Sequence, residues 1–238
     1  MEYGEGEVED GRAGEVPHIV VVAGTPGAGK STMAEHLCRA LGGAALVDKD
    51  TIEWPLANAA LELAGTAPDS PQSELYTEVL KSRSYDTMER VCEQNIRAGN
   101  NVVLVAPFTS HMADKAWPDR LSARCAGALV SVIWVTASEE VTQARKRSRA
   151  APRDVRELQG GACVSRPAAT PVVPHHFVDS SGIHLAEMAT LAADLAAVLM
   201  REGGCFTTIE DISSIRQSSP GPLQRATQVG GGGGGPPP

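Results

Sequence analysis

Gly24-Thr25-Pro26-Gly27-Ala28-Gly29-Lys30-Ser31 follows the spacing G-x-x-x-x-G-K-[ST]. Glycines carry no Cβ and tolerate positive φ, so such a loop can wrap its backbone closely around a phosphate. Its successive N–H groups then form an anion nest. A helix that follows adds unpaired first-turn amides and the positive end of its dipole. The stretch expected to hold nucleotide is therefore Gly24, Thr25, Pro26, Gly27, Ala28, Gly29, Lys30, Ser31 and Thr32. Lys30 is expected on the β- and γ-phosphates and Ser31 on Mg²⁺.

Two further clusters bear on phosphoryl chemistry. Leu46-Val47-Asp48-Lys49-Asp50 places two carboxylates at the end of an apolar run. Residues i and i+2 of an extended segment share a side, so Asp48 and Asp50 can point together. One carboxylate there can order Mg²⁺, and the other can accept or orient an acceptor hydroxyl. Either can also cap a helix beginning near Thr51. The third cluster is Arg145, Lys146, Arg147, Arg149, Arg153 and Asp154. Planar guanidinium groups suit the charge that develops on a transferring phosphoryl group. Arg149 and Arg153 are the leading candidates, with Arg145 third. The stretch 150–174 is read as a lid.

These clusters need elements to position them. Apolar runs at 19–23, 44–47, 102–106, 129–136 and 176–179 read as strands. Helical patterns follow the loop and occupy about 51–63, 73–98, 113–125, 139–149 and 184–201. The second of these carries Ile52, Leu56, Ala59 and Leu63 on one face. The third is broken near Lys81–Ser84. Such alternation predicts an α/β fold, a five-stranded parallel sheet flanked by helices on both faces with a lid segment. Ligands then bind at the carboxyl ends of the strands.

Composition narrows the classes. The chain has 238 residues and a net charge of −8, enough for one sizeable α/β domain and an argument against general nucleic-acid affinity. Aromatic residues make up 4%, which disfavours base-stacking platforms. No apolar run approaches a membrane span. Cys38, Cys92, Cys125, Cys163 and Cys205 form no C-x-x-C pair, which fits free thiols in the cytoplasm. Cys38 and Cys92 are expected as core residues. His175 and His176 read as loop residues near the adenine. Residues 1–16 read as a disordered leader, 17–203 as the domain and 204–238 as a flexible tail.

The three clusters, in this order, resemble the small P-loop kinases of the P-loop NTPase fold. These include shikimate and gluconate kinases, the phosphotransferase that modifies chloramphenicol, the kinase half of polynucleotide kinase, and zeta-type toxins. The nearest likeness is to bacterial ATP-binding proteins of the AAA-domain kinase-like group, over about residues 17–198. The resemblance implies an ATP- and Mg²⁺-dependent kinase acting on a small-molecule hydroxyl. Within it, Gly24–Ser31 is the Walker A loop, Lys30 and Ser31 serve nucleotide and magnesium, Asp50 is the substrate-side carboxylate, and Arg149 and Arg153 are lid arginines. Strand three ends in Val105-Ala106-Pro107-Phe108, without the acidic residue many P-loop proteins have there. Shikimate kinases also lack it, which assigns that work to Asp48. Pro107, Phe108 and Thr109 are then expected to border the acceptor site, Phe108 more readily as core than as contact, with Trp54 and Tyr76 as lining or packing residues. Two other readings stand beside this one: a regulatory NTPase that hydrolyses ATP slowly and acts through a partner, and a toxin-type or nucleic-acid end kinase.

Overall fold

In the computed structural model, the residues described are 16–67, 73–150 and 171–201. The leader before Val16, Arg153, the proposed lid beyond Ala150 and the tail from residue 204 lie outside them. Five strands form one sheet in the order β2-β3-β1-β4-β5, every neighbouring pair parallel. They are β1 His18–Gly24, β2 Ala45–Asp48, β3 Val102–Val105, β4 Leu129–Thr136 and β5 His176–Asp179. The chain leaves β1 outward to β2, then returns across β1 between β3 and β4. That reversal opens a crevice at the carboxyl end of β1, where α/β sheets bind ligands.

All seven residues of β1 are buried, as expected of a central parallel strand covered on both faces. Alternate residues serve opposite layers. Ile19, Val21 and Ala23 pack with Tyr85, Met88, Cys92 and Ile96 of α3 (Lys81–Arg97) and with Trp117 and Leu121 of α4 (Trp117–Arg124). Val20 and Val22 pack against α1 (Lys30–Ala40), through Met33, Ala34 and Leu37, and against α6 (Leu185–Arg201), through Met188, Leu191 and Leu195. Each such aliphatic side chain contributes about 1.5–3 kcal/mol when fully buried. The remaining helices are α2 (Lys49–Leu63) and α5 (Glu139–Arg149). No helix among the described residues is long and apolar enough to cross a membrane.

Three local expectations need correction. First, α2 turns a different face inward. Its buried residues are Lys49, Glu53, Ala57 and Leu61, while Leu56 and Leu63 are 75% and 91% exposed. The helix also begins at Lys49, capped by Asp48, whose side chain accepts the Asp50 N–H. Its inward stripe carries an ion pair, which periodicity assigns to solvent. Second, the segment before α3 is a π-helical turn, Tyr76–Leu80, that runs directly into α3. The break in pattern therefore lies one turn earlier than expected. Third, the helix expected over 113–125 is split into a 3₁₀ turn, His111–Ala113, and α4. Asp114 is extended between them and its carboxylate accepts the Ala116 N–H at 3.1 Å. Cys92 is fully buried, whereas Cys38 is only half-buried.

The backbone of β1 comes close to β4 at Gly24, whose φ is +136°. A Cβ built there would lie 1.9 Å from the Val135 carbonyl oxygen of β4, so the position admits only glycine. Gly24→Ala is expected to cost about 3 kcal/mol or more in urea denaturation, through forced separation of β1 and β4. Gly42→Ala, at a φ of +73° with nothing within 4 Å, is the control and should cost about 1 kcal/mol. Equal midpoints for Gly24→Ala and the native chain would contradict the packing argument.

Candidate functional site

The loop from Gly24 to Gly29 joins β1 to α1 across the carboxyl edge of the sheet. Gly27 and Gly29 have φ of +83° and +89°, in the left-handed region that favours glycine. The first amides of α1, on Lys30, Ser31 and Thr32, have no intrahelical acceptor by position. Met33 is the first to bond back, to the Gly29 carbonyl at 3.0 Å. Lys30 Nζ donates to the Thr25 carbonyl at 2.8 Å, curled over its own loop. Thr25 Oγ1 is buried without a hydrogen-bond partner, a polar atom the loop itself does not satisfy. A nest of amides, a local cation and an unsatisfied hydroxyl make a donor set suited to phosphate oxygens.

The carboxyl end of β2 comes to this loop. Ser31 Oγ donates to Asp48 Oδ2 at 3.0 Å. The other Asp48 oxygen accepts the Asp50 N–H at 2.8 Å, so this carboxylate caps α2 and meets Ser31 at once. A hydroxyl and a carboxylate at that spacing are the oxygen donors magnesium takes, usually alongside several waters. Asp50 is half-buried in the first turn of α2. Its neighbour Lys49 faces the aromatic side of the crevice, its ammonium 5.7 Å from the Tyr76 ring centroid.

That side is built on a buried polar cluster. Lys49 is paired with Glu53, one turn along α2, and both are almost fully buried. Lys49 Nζ also donates to Tyr76 Oη at 3.1 Å, and Tyr76 Oη donates to Glu53 Oε2 at 3.0 Å. Ser84 Oγ lies 2.6 Å from the second Glu53 oxygen. The ammonium stands 5.3 Å from the Tyr85 ring centroid, within cation–π range. Burial, reinforced by the Glu53 charge, pushes the Tyr76 hydroxyl well above the usual tyrosine range. Burial also pushes Tyr85 up to about 12. Both phenols thus stay protonated, Tyr76 donating to Glu53 and Tyr85 accepting the Phe108 N–H. Trp54 stacks on Tyr76 with ring centroids 5.4 Å apart and planes 3° apart. Trp54 and Asp50 are one helical turn apart and share a face of α2.

After β3 the chain turns at Phe108, whose φ of +49° is uncommon for a bulky residue. Its N–H donates to Tyr85 Oη at 3.2 Å, and its ring packs on Tyr85, His111 and Trp117. Phe108 is thus a buried core residue and not an open border of the crevice; Thr109 beside it is exposed.

The arginine run divides. Arg145, the third candidate, faces the glycine loop: Nη1 donates to the Gly27 carbonyl at 3.4 Å and to Ser180 Oγ at 3.0 Å, and Nη2 donates to the Ser180 carbonyl at 2.9 Å. Arg149 is exposed in the last turn of α5, and Arg153 lies outside the described residues. His176 is a buried residue opening β5, as the strand read over 176–179 requires and against its reading as a loop residue. Residues missed by sequence reasoning are Lys49, Glu53, Ser84, Tyr85 and Ser180. The i, i+4 spacing of Lys49 and Glu53 was a visible signal. Ser180 carried none.

A sequence profile described as an AAA domain matches residues 19–162. Among solved structures, the fold is similar to that of a "putative kinase" from Chloroflexus aurantiacus J-10-fl. The identity is 16% and the TM-score 0.52, covering 76% of this chain and 98% of that one. A gluconokinase from Sinorhizobium meliloti 1021 also aligns, at 20% identity and a TM-score of 0.45, covering 78% of this chain and 94% of the other. A search of curated proteins gives no match. Identities this low speak to fold, and chemistry must be argued from the site.

Two outcomes follow from the buried polar cluster and the rings beside it. Lys49→Met leaves the Glu53 carboxylate buried without its cation and should cost about 3–5 kcal/mol in chemical denaturation. The double change Lys49→Met/Glu53→Leu should recover most of that; a double variant as unstable as the single would remove the unpaired charge as the cause. Burial among rings lowers the His111 pKa below the usual 6.5. The unfolded chain therefore takes up that proton first, and stability falls as pH drops below 6.5 toward the folded value. His111→Gln should flatten the loss of stability between about pH 7 and about pH 5. An unchanged slope would mean that other groups carry it.

Proposed function

The chain belongs to the AAA domain family matched by residues 19–162, and from that membership we propose that it is an ATP- and Mg²⁺-dependent phosphotransferase with a small-molecule alcohol as acceptor. The observation that supports this best is the Ser31–Asp48 contact at 3.0 Å beside the glycine loop, with Asp50 two residues on in the first turn of α2. Ordering of a metal and activation of a hydroxyl are then assigned to adjacent carboxylates.

In this reading the amides of Gly27 and of residues 29–32 bind the phosphates, while the Ala28 N–H stays on the Thr25 carbonyl. Lys30 leaves the Thr25 carbonyl to neutralise charge on the β- and γ-phosphates. Ser31 and Asp48 would hold Mg²⁺, which when bound offsets the charge on the bridging and γ-oxygens. Asp50 orients the acceptor hydroxyl and takes its proton as the new O–P bond forms. The bond between the γ-phosphorus and the β–γ bridging oxygen breaks, and ADP leaves. Arg149 and Arg153 are the side chains assigned to the equatorial oxygens. The Lys49–Glu53–Tyr76 cluster holds the first turn of α2 still, so the Asp50 backbone is fixed relative to the loop. The site of action is taken to be the cytoplasm.

The test is incubation of the full chain with γ-labelled ATP, Mg²⁺ and a panel of sugars, nucleosides, antibiotics and RNA ends. A labelled small-molecule product is expected. ADP and free phosphate alone, under every condition, would sink the kinase reading in favour of a slow regulatory NTPase. Lys30→Ala should abolish turnover with an unchanged circular dichroism spectrum. Asp50→Asn should lower transfer by roughly 10²–10⁴-fold while ATP binding persists. Wild-type transfer by Asp50→Asn would show that the base is another group.

A further inference from the structure

A loop that aims its N–H groups inward at a phosphate must aim its carbonyls outward, and outward carbonyls need donors. Here the donors come from α5 and from the turn after β5. Ser180 Oγ donates to the Ala28 carbonyl at 2.7 Å, and both residues are fully buried. Arg145 can only donate, so its bond to Ser180 Oγ occupies that oxygen as acceptor. The single hydroxyl proton of Ser180 is thereby committed to Ala28. Arg145 also holds the Ser180 carbonyl and reaches the Gly27 carbonyl. Ser180 is anchored in turn to the sheet, its N–H donating to the Thr136 carbonyl at the end of β4 at 2.8 Å. β4 takes the loop's other end directly, the Thr25 N–H donating to the Val135 carbonyl at 3.3 Å.

We propose that Ser180, its proton direction fixed by Arg145, is a positioning residue that holds the phosphate loop in its nucleotide-ready shape before nucleotide arrives. The inference rests on the nucleotide-binding part of the reading above and not on the identity of the acceptor. Ser180 touches the loop from behind and no phosphate. Its effect is on the shape of the empty loop: without it, binding must order the Ala28 peptide, and affinity falls by that ordering cost.

The experiment uses the full chain with mant-ATP and Mg²⁺ as the fluorescent probe, together with amide hydrogen exchange over residues 24–31. Ser180→Ala should weaken mant-ATP binding roughly tenfold, the scale of one lost hydrogen bond. In the empty protein its loop amides should exchange faster than in the native chain. Amides of α3 should meanwhile exchange at the native rate, which a general loss of stability would not leave unchanged. Arg145→Lys keeps the charge but loses the fork, and should move both measurements in the same direction. It carries the test alone should alanine at position 180 not fold. Native binding and exchange in the variant, where the native chain binds mant-ATP, would overturn the inference alone. A native chain that binds no mant-ATP would overturn the nucleotide reading, and this inference with it.

Discussion

Parallel strands all finish on the same edge of a sheet, and in this molecule that constraint organises the crevice. β1 delivers the glycine loop, β2 delivers Asp48, β3 delivers the turn at Phe108, and β5 delivers Ser180. No one of these segments makes a site. They meet because the sheet fixes their exits at neighbouring positions, and because Gly24 lets β1 lie against β4 with no side chain between them. The loop's geometry is thus inherited from strand pairing: the Thr25 N–H is held by β4 and the Ala28 carbonyl by the turn after β5.

The two sides of the crevice use different physics. On the loop side, backbone amides and helix termini dominate, so what matters is where the main chain points. On the other side, ionised and phenolic side chains have left water altogether. Lys49, Glu53 and Tyr76 satisfy one another, with Ser84 on the remaining carboxylate oxygen. Such clusters are costly to bury and contribute less to stability than to a defined arrangement. Here the arrangement defined is that of the first turn of α2, which carries Asp50.

Features set by local pattern were readable from residues alone. The bounds of β4, α5 and β5 follow from an unbroken apolar run, a Ser138 cap whose oxygen accepts the Val141 N–H, and a short apolar patch. The glycine loop was legible because its function needs backbone freedom, which only glycine supplies at those angles. What depends on distant partners was not. Hydrophobic periodicity placed Leu56 and Leu63 inside because it cannot know that Lys49 and Glu53 neutralise each other there. The arginine run was read as one unit, yet Arg145 and Arg149 part company: the first meets Ser180, 35 positions on, in the turn after β5. Ser180 itself is an ordinary serine until the fold sets it behind Ala28.

The π-helical turn at Tyr76–Leu80 has a consequence for how this chain relates to others. A π turn accommodates one residue more than an α turn over the same rise. A relative whose helix is α throughout would therefore align with a one-residue gap just before Lys81. The phase on either side of that gap would differ by roughly 100°, the angle per residue of an α-helix. Downstream, Tyr85, Met88, Cys92 and Ile96 would keep their places in the core. Upstream, the aromatic ring that stacks on Trp54 and bonds Lys49 would swing out of the crevice. A single inserted residue is thus enough to couple the Lys49–Glu53 pair to the helix that packs on the sheet.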